Sequence, residues 1–179
     1  MYRLYDIVTG PLAWAAFILF FAGIVFRLVR LLMEVDKKEP FIFTYMSVKY
    51  SLRSIFHWII PFATVNWRRH PVLTIVTFAF HICLLATPIF LLSHVVMWDD
   101  AWNISWWTLP DAVADAMTLI VIACCIYYLV RRLAAPEVRF VTDASDFVIL
   151  TIVAAPFVTG FLAYHQWFEY PTFVILHII

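Results

Sequence analysis

PVLTIVTFAFHICLLATPIFLLSHVVM, residues 71–97, contains no Asp, Glu, Lys or Arg in 27 residues. A helix needs roughly 20 apolar residues to cross a bilayer, so this run is long enough to span. A soluble domain carries about a quarter of its residues charged, and the whole chain departs from that pattern. Of its 179 residues, 65% are hydrophobic and 13% charged, with a mean hydropathy of +0.92. The sequence reads as an all-α integral membrane protein.

Further apolar runs place the other spans at about 11–33, 110–131 and 146–165. A fifth begins at Pro171 and stops at Ile179, too short to cross. The expected architecture is therefore a five-span helical bundle whose fifth span is truncated and continues beyond 179. No internal repeat or low-complexity linker interrupts residues 1–179, which read as one domain. The first run is read as a span and not a cleaved secretory signal, because its charges follow it. Cys83, Cys124 and Cys125 all fall inside spans without a metal-site spacing, and read as small packing residues.

The charges supply an orientation. Eight of the twelve basic residues, from Arg27 to Arg69, follow the start of the first span and precede the second. Arg131, Arg132 and Arg139 follow the third, and only Arg3 lies on the other side. The positive-inside rule then puts the N-terminus in the periplasm and both basic loops in the cytoplasm of a multi-pass inner-membrane protein. Within the first basic loop, MSVKYSLRSIFHWIIPF (46–62) mixes basic and aromatic residues at near-helical spacing. It predicts an amphipathic helix lying along the inner leaflet, with His57 as an interfacial neighbour. On the opposite face, MWDDAWNISWWTLPD (97–111) carries three acids, no base and four tryptophans suited to the headgroup layer.

Histidines inside hydrocarbon are expensive and invite a functional reading. His81 lies roughly 15 Å into the second span, and His94 about 20 Å further along the helix. Imidazole is the usual axial ligand of haem iron, and two-histidine ligation needs a second ring from a facing helix. His177 enters from the outer side and matches the depth of His94. His81 has no such partner, unless the fifth helix continues to one beyond residue 179. A straight helix turns about 220° over thirteen residues, so His81 and His94 share a face only if Pro88 bends the span. His70 shares a face with His81 but sits at the basic boundary, and His165 lies at the water interface. For each histidine the alternative is a hydrogen-bonded bundle residue.

VRRLAAPEVRFVTDASDFVIL (130–150) resembles the loop between the third and fourth spans of the gamma, or cytochrome b, subunit of respiratory nitrate reductase. Arg131, Arg132, Pro136, Arg139, Thr142 and Asp146 match that family's pattern. Phe80-His81-Ile82 resembles its inner haem-ligand site, and Leu176-His177 its outer one. Within the superfamily, KYSLRSIFHWIIPF and ISWWTLPD make the chain most similar to the cytochrome b subunits of sulfate-reducer transmembrane (Tmc) or sulfite-reductase-associated (Dsr) complexes.

The resemblance implies two b haems stacked across the membrane. His94 and His177 would hold the outer one, and His81 with a histidine past 179 the inner one. Arg131, Arg132 and Arg139 would pair with haem propionates or a cytoplasmic partner, or would serve only as topology determinants. The family's quinol-site lysine has no counterpart in LPDAVADAM, where Asp111 or Asp115 would take its protons from menaquinol. Acids at a helix N-terminus also have a plain dipole explanation. The expected function is electron relay between a periplasmic donor, such as a multihaem c-type cytochrome or menaquinol, and a cytoplasmic iron–sulfur subunit of the heterodisulfide-reductase kind. Membrane lipids are the other expected partners, and nucleic acid is not one. No catalytic residue of the chain's own is expected. The competing readings are a structural membrane anchor and a transporter-like bundle without a cofactor.

Overall fold

A backbone surrounded by hydrocarbon must satisfy its own N–H and C=O groups, and a helix does so within one segment. The structure, a computed structural model, describes residues 6–39, 41–167, 172 and 175–177. It is 84% helical, with no strand among the described residues. After a π-helical turn, Val8–Leu12, come α1 (Ala13–Lys38), α2 (Phe41–Tyr45), α3 (Val48–Ile59), α4 (Val65–Arg69) and α5 (Pro71–Phe90). These are followed by α6 (Leu92–Trp102), α7 (Asp111–Ala134), α8 (Pro136–Arg139) and α9 (Ala144–Tyr164). Four helical stretches, Gly10–Lys38, Pro71–Phe90, Asp111–Ala134 and Ala144–Tyr164, are long and apolar enough to cross a membrane. Even the shortest has 20 residues, about 30 Å at 1.5 Å per residue. The protein is a multi-pass helical membrane protein. Most of the expected fifth span, 171–179, lies outside the described residues; 172 and 175–177 are helical.

The chain divides into two units, one running to Arg69 and one over His70–His177. In the first, α1 buries only Ala13 and exposes its apolar side chains along its length. Helix α3 is amphipathic: Lys49, Arg53 and His57 lie opposite Val48, Leu52, Ile55 and Ile59 at helical spacing. Those four apolar side chains are all exposed, as is Trp58.

The second unit is built around α7, which packs against both α5 and α9. Cys83 of α5, Val121 and Cys125 of α7 and Phe157 of α9 form its buried centre. The three cysteines are free and buried. Cross-links between the helices are sparse and polar: the Tyr128 hydroxyl meets Thr77 Oγ1 at 3.3 Å, and the Cys124 thiol meets the Val76 carbonyl at 3.7 Å.

The 131–146 segment is a stapled corner. Asp143 caps α9: its side chain accepts from Asp146 N–H and also from Ala144 N–H, while the Asp146 side chain accepts from Asp143 N–H at 2.9 Å, a reciprocal capping box. Arg132 reaches the same Asp146 carboxylate at 3.1 Å and also donates to Thr142 Oγ1 at 3.3 Å. Thr142 in turn donates to the Val138 carbonyl. The arginine, threonine and aspartate of the loop motif thus hold one another.

Residues 71–97, expected as one span, are two helices. Helix α5 ends at Phe90, and Leu91 adopts extended backbone (ψ 131°) before α6 begins. Pro88 lies inside α5, so the break falls three residues beyond the proline. Its physical basis is hydrogen-bond supply. The last carbonyls of α5, orphaned at any helix end, each find a donor outside the regular ladder. Pro88 accepts from the His94 ring at 2.8 Å, Ile89 from the Trp106 indole at 2.8 Å and Phe90 from Leu109 N–H at 2.9 Å. The 103–110 loop therefore folds back on the break, with Trp107 stacked on Phe90 at 4.3 Å. Trp106→Phe keeps the ring and removes the donor. It is expected to cost about 1 kcal/mol, read as a lower unfolding midpoint in detergent; no change would mean solvent serves the Ile89 carbonyl equally well.

Candidate functional site

Helix α5 delivers His81, the break at Leu91 aims His94, and the chain past α9 returns to place His177 in the same unit. The rings of His94 and His177 lie 6.1 Å apart, centre to centre, with planes only 17° from parallel. Eighty-three residues separate them in sequence, and the fold brings them together.

The hydrogen bonds assign the protons. A carbonyl can only accept, so the contact between His94 Nδ1 and the Pro88 carbonyl requires the proton on Nδ1. His177 Nδ1 lies 3.3 Å from Thr159 Oγ1, whose own hydrogen points to the Ala155 carbonyl at 2.8 Å. The His177 Nδ1–H is therefore the donor. In each neutral ring this leaves Nε2 with a free lone pair. Anchoring one imidazole nitrogen on a carbonyl or hydroxyl is the arrangement that orients the other toward a metal.

The separation suits a shared ion. A metal–imidazole bond is about 2.0–2.1 Å, and the ring centre lies about 1.1 Å behind the bonded nitrogen. Two rings on opposite sides of one ion would stand about 6.2 Å apart, against 6.1 Å found. By this spacing the pair is a candidate ligand set for a metal with two open sides, or for one inside a planar ring system.

His81 has the same local chemistry without a facing ring. Its Nδ1 donates to the Thr77 carbonyl at 2.7 Å, and Phe80 meets it edge-on at 5.2 Å. The ring is exposed, and no second histidine faces it among the described residues. His70 stands at the N-terminus of α5, where its carbonyl accepts from Thr74 N–H and Thr74 Oγ1. His57 sits on α3.

Of the three loop arginines, Arg132 is committed to Asp146 and Thr142, while Arg131 and Arg139 close the basic end of α7 and of α8. Asp115 pairs with His165, Oδ2 to Nε2 at 3.1 Å, and the Asp111 carboxylate lies close to the Tyr164 hydroxyl. The two acids read from LPDAVADAM thus tie the start of α7 to the end of α9.

Sequence reasoning did not single out Thr159, Gly160 or Trp106. Gly160 carried a usable signal, since it is one of three glycines in the chain and lies within an apolar run.

Four apolar helices and a pair of facing imidazoles define a polytopic helical membrane protein with a candidate metal-ligand pair. A protein of Nitratidesulfovibrio vulgaris (strain Hildenborough) is 35% identical over 182 residues, covering 98% of this chain and 80% of that protein, and the chain belongs to its family. No established family profile matches the chain. No solved structure matches it either.

Proposed function

We propose that this protein is the haem b-carrying membrane subunit of a respiratory redox complex, of the nitrate reductase gamma superfamily and the sulfate-reducer Tmc or Dsr kind. The observation that carries the reading is the His94–His177 pair, near-parallel at 6.1 Å with Nδ1 of each ring anchored. Haem b, when bound, supplies one-electron oxidation and reduction at iron. The residues do the rest. His94 and His177 would hold the outer haem, and the anchoring of Nδ1 on the Pro88 carbonyl and the Thr159 hydroxyl leaves each Nε2 free for it. His81, whose Nδ1 donates to the Thr77 carbonyl, would be the chain's ligand to the inner haem. Arg131, Arg132 and Arg139 would meet the inner haem's propionates or the cytoplasmic iron–sulfur subunit, Arg132 already being ordered by Asp146 and Thr142.

The orientation follows the eleven-to-one distribution of basic residues: five spans, N-terminus in the periplasm, and α3 lying on the inner leaflet with its apolar face in lipid. The acidic outer loops attract a basic multihaem cytochrome c. Asp115, paired with His165, and Asp111, beside Tyr164, lie near the end of α9, about 7 Å of helix rise beyond Gly160, and would be the chain's proton acceptors for a menaquinol bound there.

The test is a reduced-minus-oxidised spectrum of the full-length protein purified from its native membranes, with haem extracted and counted. A b-type spectrum at two haems per chain is expected. A colourless protein, as a passive anchor or a transporter predicts, ends this reading.

A further inference from the structure

We propose that Gly160 is a positioning residue, a notch on α9 that seats the His177 ring and sets its rotation; this rests on the reading of His177 as a haem ligand. Glycine is the poorest helix former after proline, so its presence inside a 21-residue helix needs a reason. Backbone conformation is not that reason, because no glycine here has positive φ. Space is. A methyl group at Gly10 or Gly23 would meet nothing within 4 Å, whereas at Gly160 it would stand 3.0 Å from His177 Cε1 and 3.2 Å from Nδ1. Real Cβ atoms are seldom found so close. The ring thus lies directly on the bare backbone of α9, in the space where a side chain would be.

The ring cannot yield freely. Its Nδ1–H is held by Thr159 Oγ1, on α9 beside the notch. His94 stands across from it. A methyl at 160 pushes the ring off the Thr159 hydroxyl, turns its plane, or both. The axial-ligand plane and the hydrogen bond on its far nitrogen are the levers by which a protein tunes haem iron. Gly160 therefore acts through His177, and its absence of a side chain is the functional feature.

The experiment compares Gly160→Ala, Thr159→Val and Gly23→Ala in the full-length protein, the last being the same chemical change in open space. Three readouts are taken: haem count, the low-spin electron paramagnetic resonance signal of the outer haem, and its midpoint potential. Gly160→Ala is expected to shift the signal and the potential, Thr159→Val to shift the potential less, and Gly23→Ala to change neither. A thermal-unfolding cycle of Gly160→Ala with His177→Ala adds a readout independent of haem. Gly160→Ala should lower the midpoint when His177 is present and raise it when His177 is alanine. A pigmented Gly160→Ala variant with unchanged signal and potential, or an additive cycle, overturns the seat. A colourless wild-type protein with a coupled cycle instead overturns the haem reading and keeps the contact.

Discussion

His94→Ala and His177→Ala are each expected to remove the same haem, lowering the pigment to about half and abolishing one of two redox transitions. The two variants should be indistinguishable in spectrum, because either deletion leaves one imidazole facing an empty side at a centre built from a pair 6.1 Å apart. His81→Ala should spare that transition and remove the other. Haem extraction with potentiometric titration of the three variants checks this. If His94→Ala and His177→Ala bleach different transitions, the pairing is wrong even though both residues are ligands. If all three keep two haems, the imidazoles serve the bundle alone.

Phe157→Ala is expected to be the most destabilising single truncation in the second unit. Phe157 is the largest member of the buried centre, closing Cys83 and Cys125 against Val121. Lipid is as apolar as the core, so helix association in a membrane draws on close packing more than on removal of apolar surface from water. The lost contacts and the residual cavity should cost about 3 kcal/mol, which at this chain length lowers the unfolding midpoint by roughly 6–12 °C. Val121→Ala, although fully buried, removes two methyl groups and should cost roughly 1–2 kcal/mol. Equal effects from the two would show that α9 is not held through Phe157. Because Phe157 lies one turn before Gly160, the variant should also disturb the seat of His177, and a loss of outer haem alongside the midpoint shift is expected.

Much of this was readable from residue types alone. A run such as 71–97, free of charge for 27 residues, has few stable alternatives to a membrane helix, since hydrocarbon offers the backbone no other partners. Four of the expected runs are helices of spanning length. Counting residues also pointed to His94 and His177 as neighbours, and their rings lie 6.1 Å apart. The helix ends were supplied by the structure: the capping box of Asp143 and Asp146 at the start of α9, and Asn103 in the left-handed conformation that closes α6.

What counting could not supply was direction. Pro88 marked a disturbance in the second span, yet the chain breaks at Leu91, because Trp106 and Leu109 arrive from the following loop to take the freed carbonyls. Arg132 looked available for a propionate, and Asp146 holds it. The proton on each Nδ1 and the occupied notch at Gly160 depend on contacts across the bundle. Composition and periodicity settle which segments enter the membrane, since each segment meets the solvent on its own. Which imidazole faces which, and with which nitrogen free, belongs to packing, since those facts exist only between segments distant in the chain.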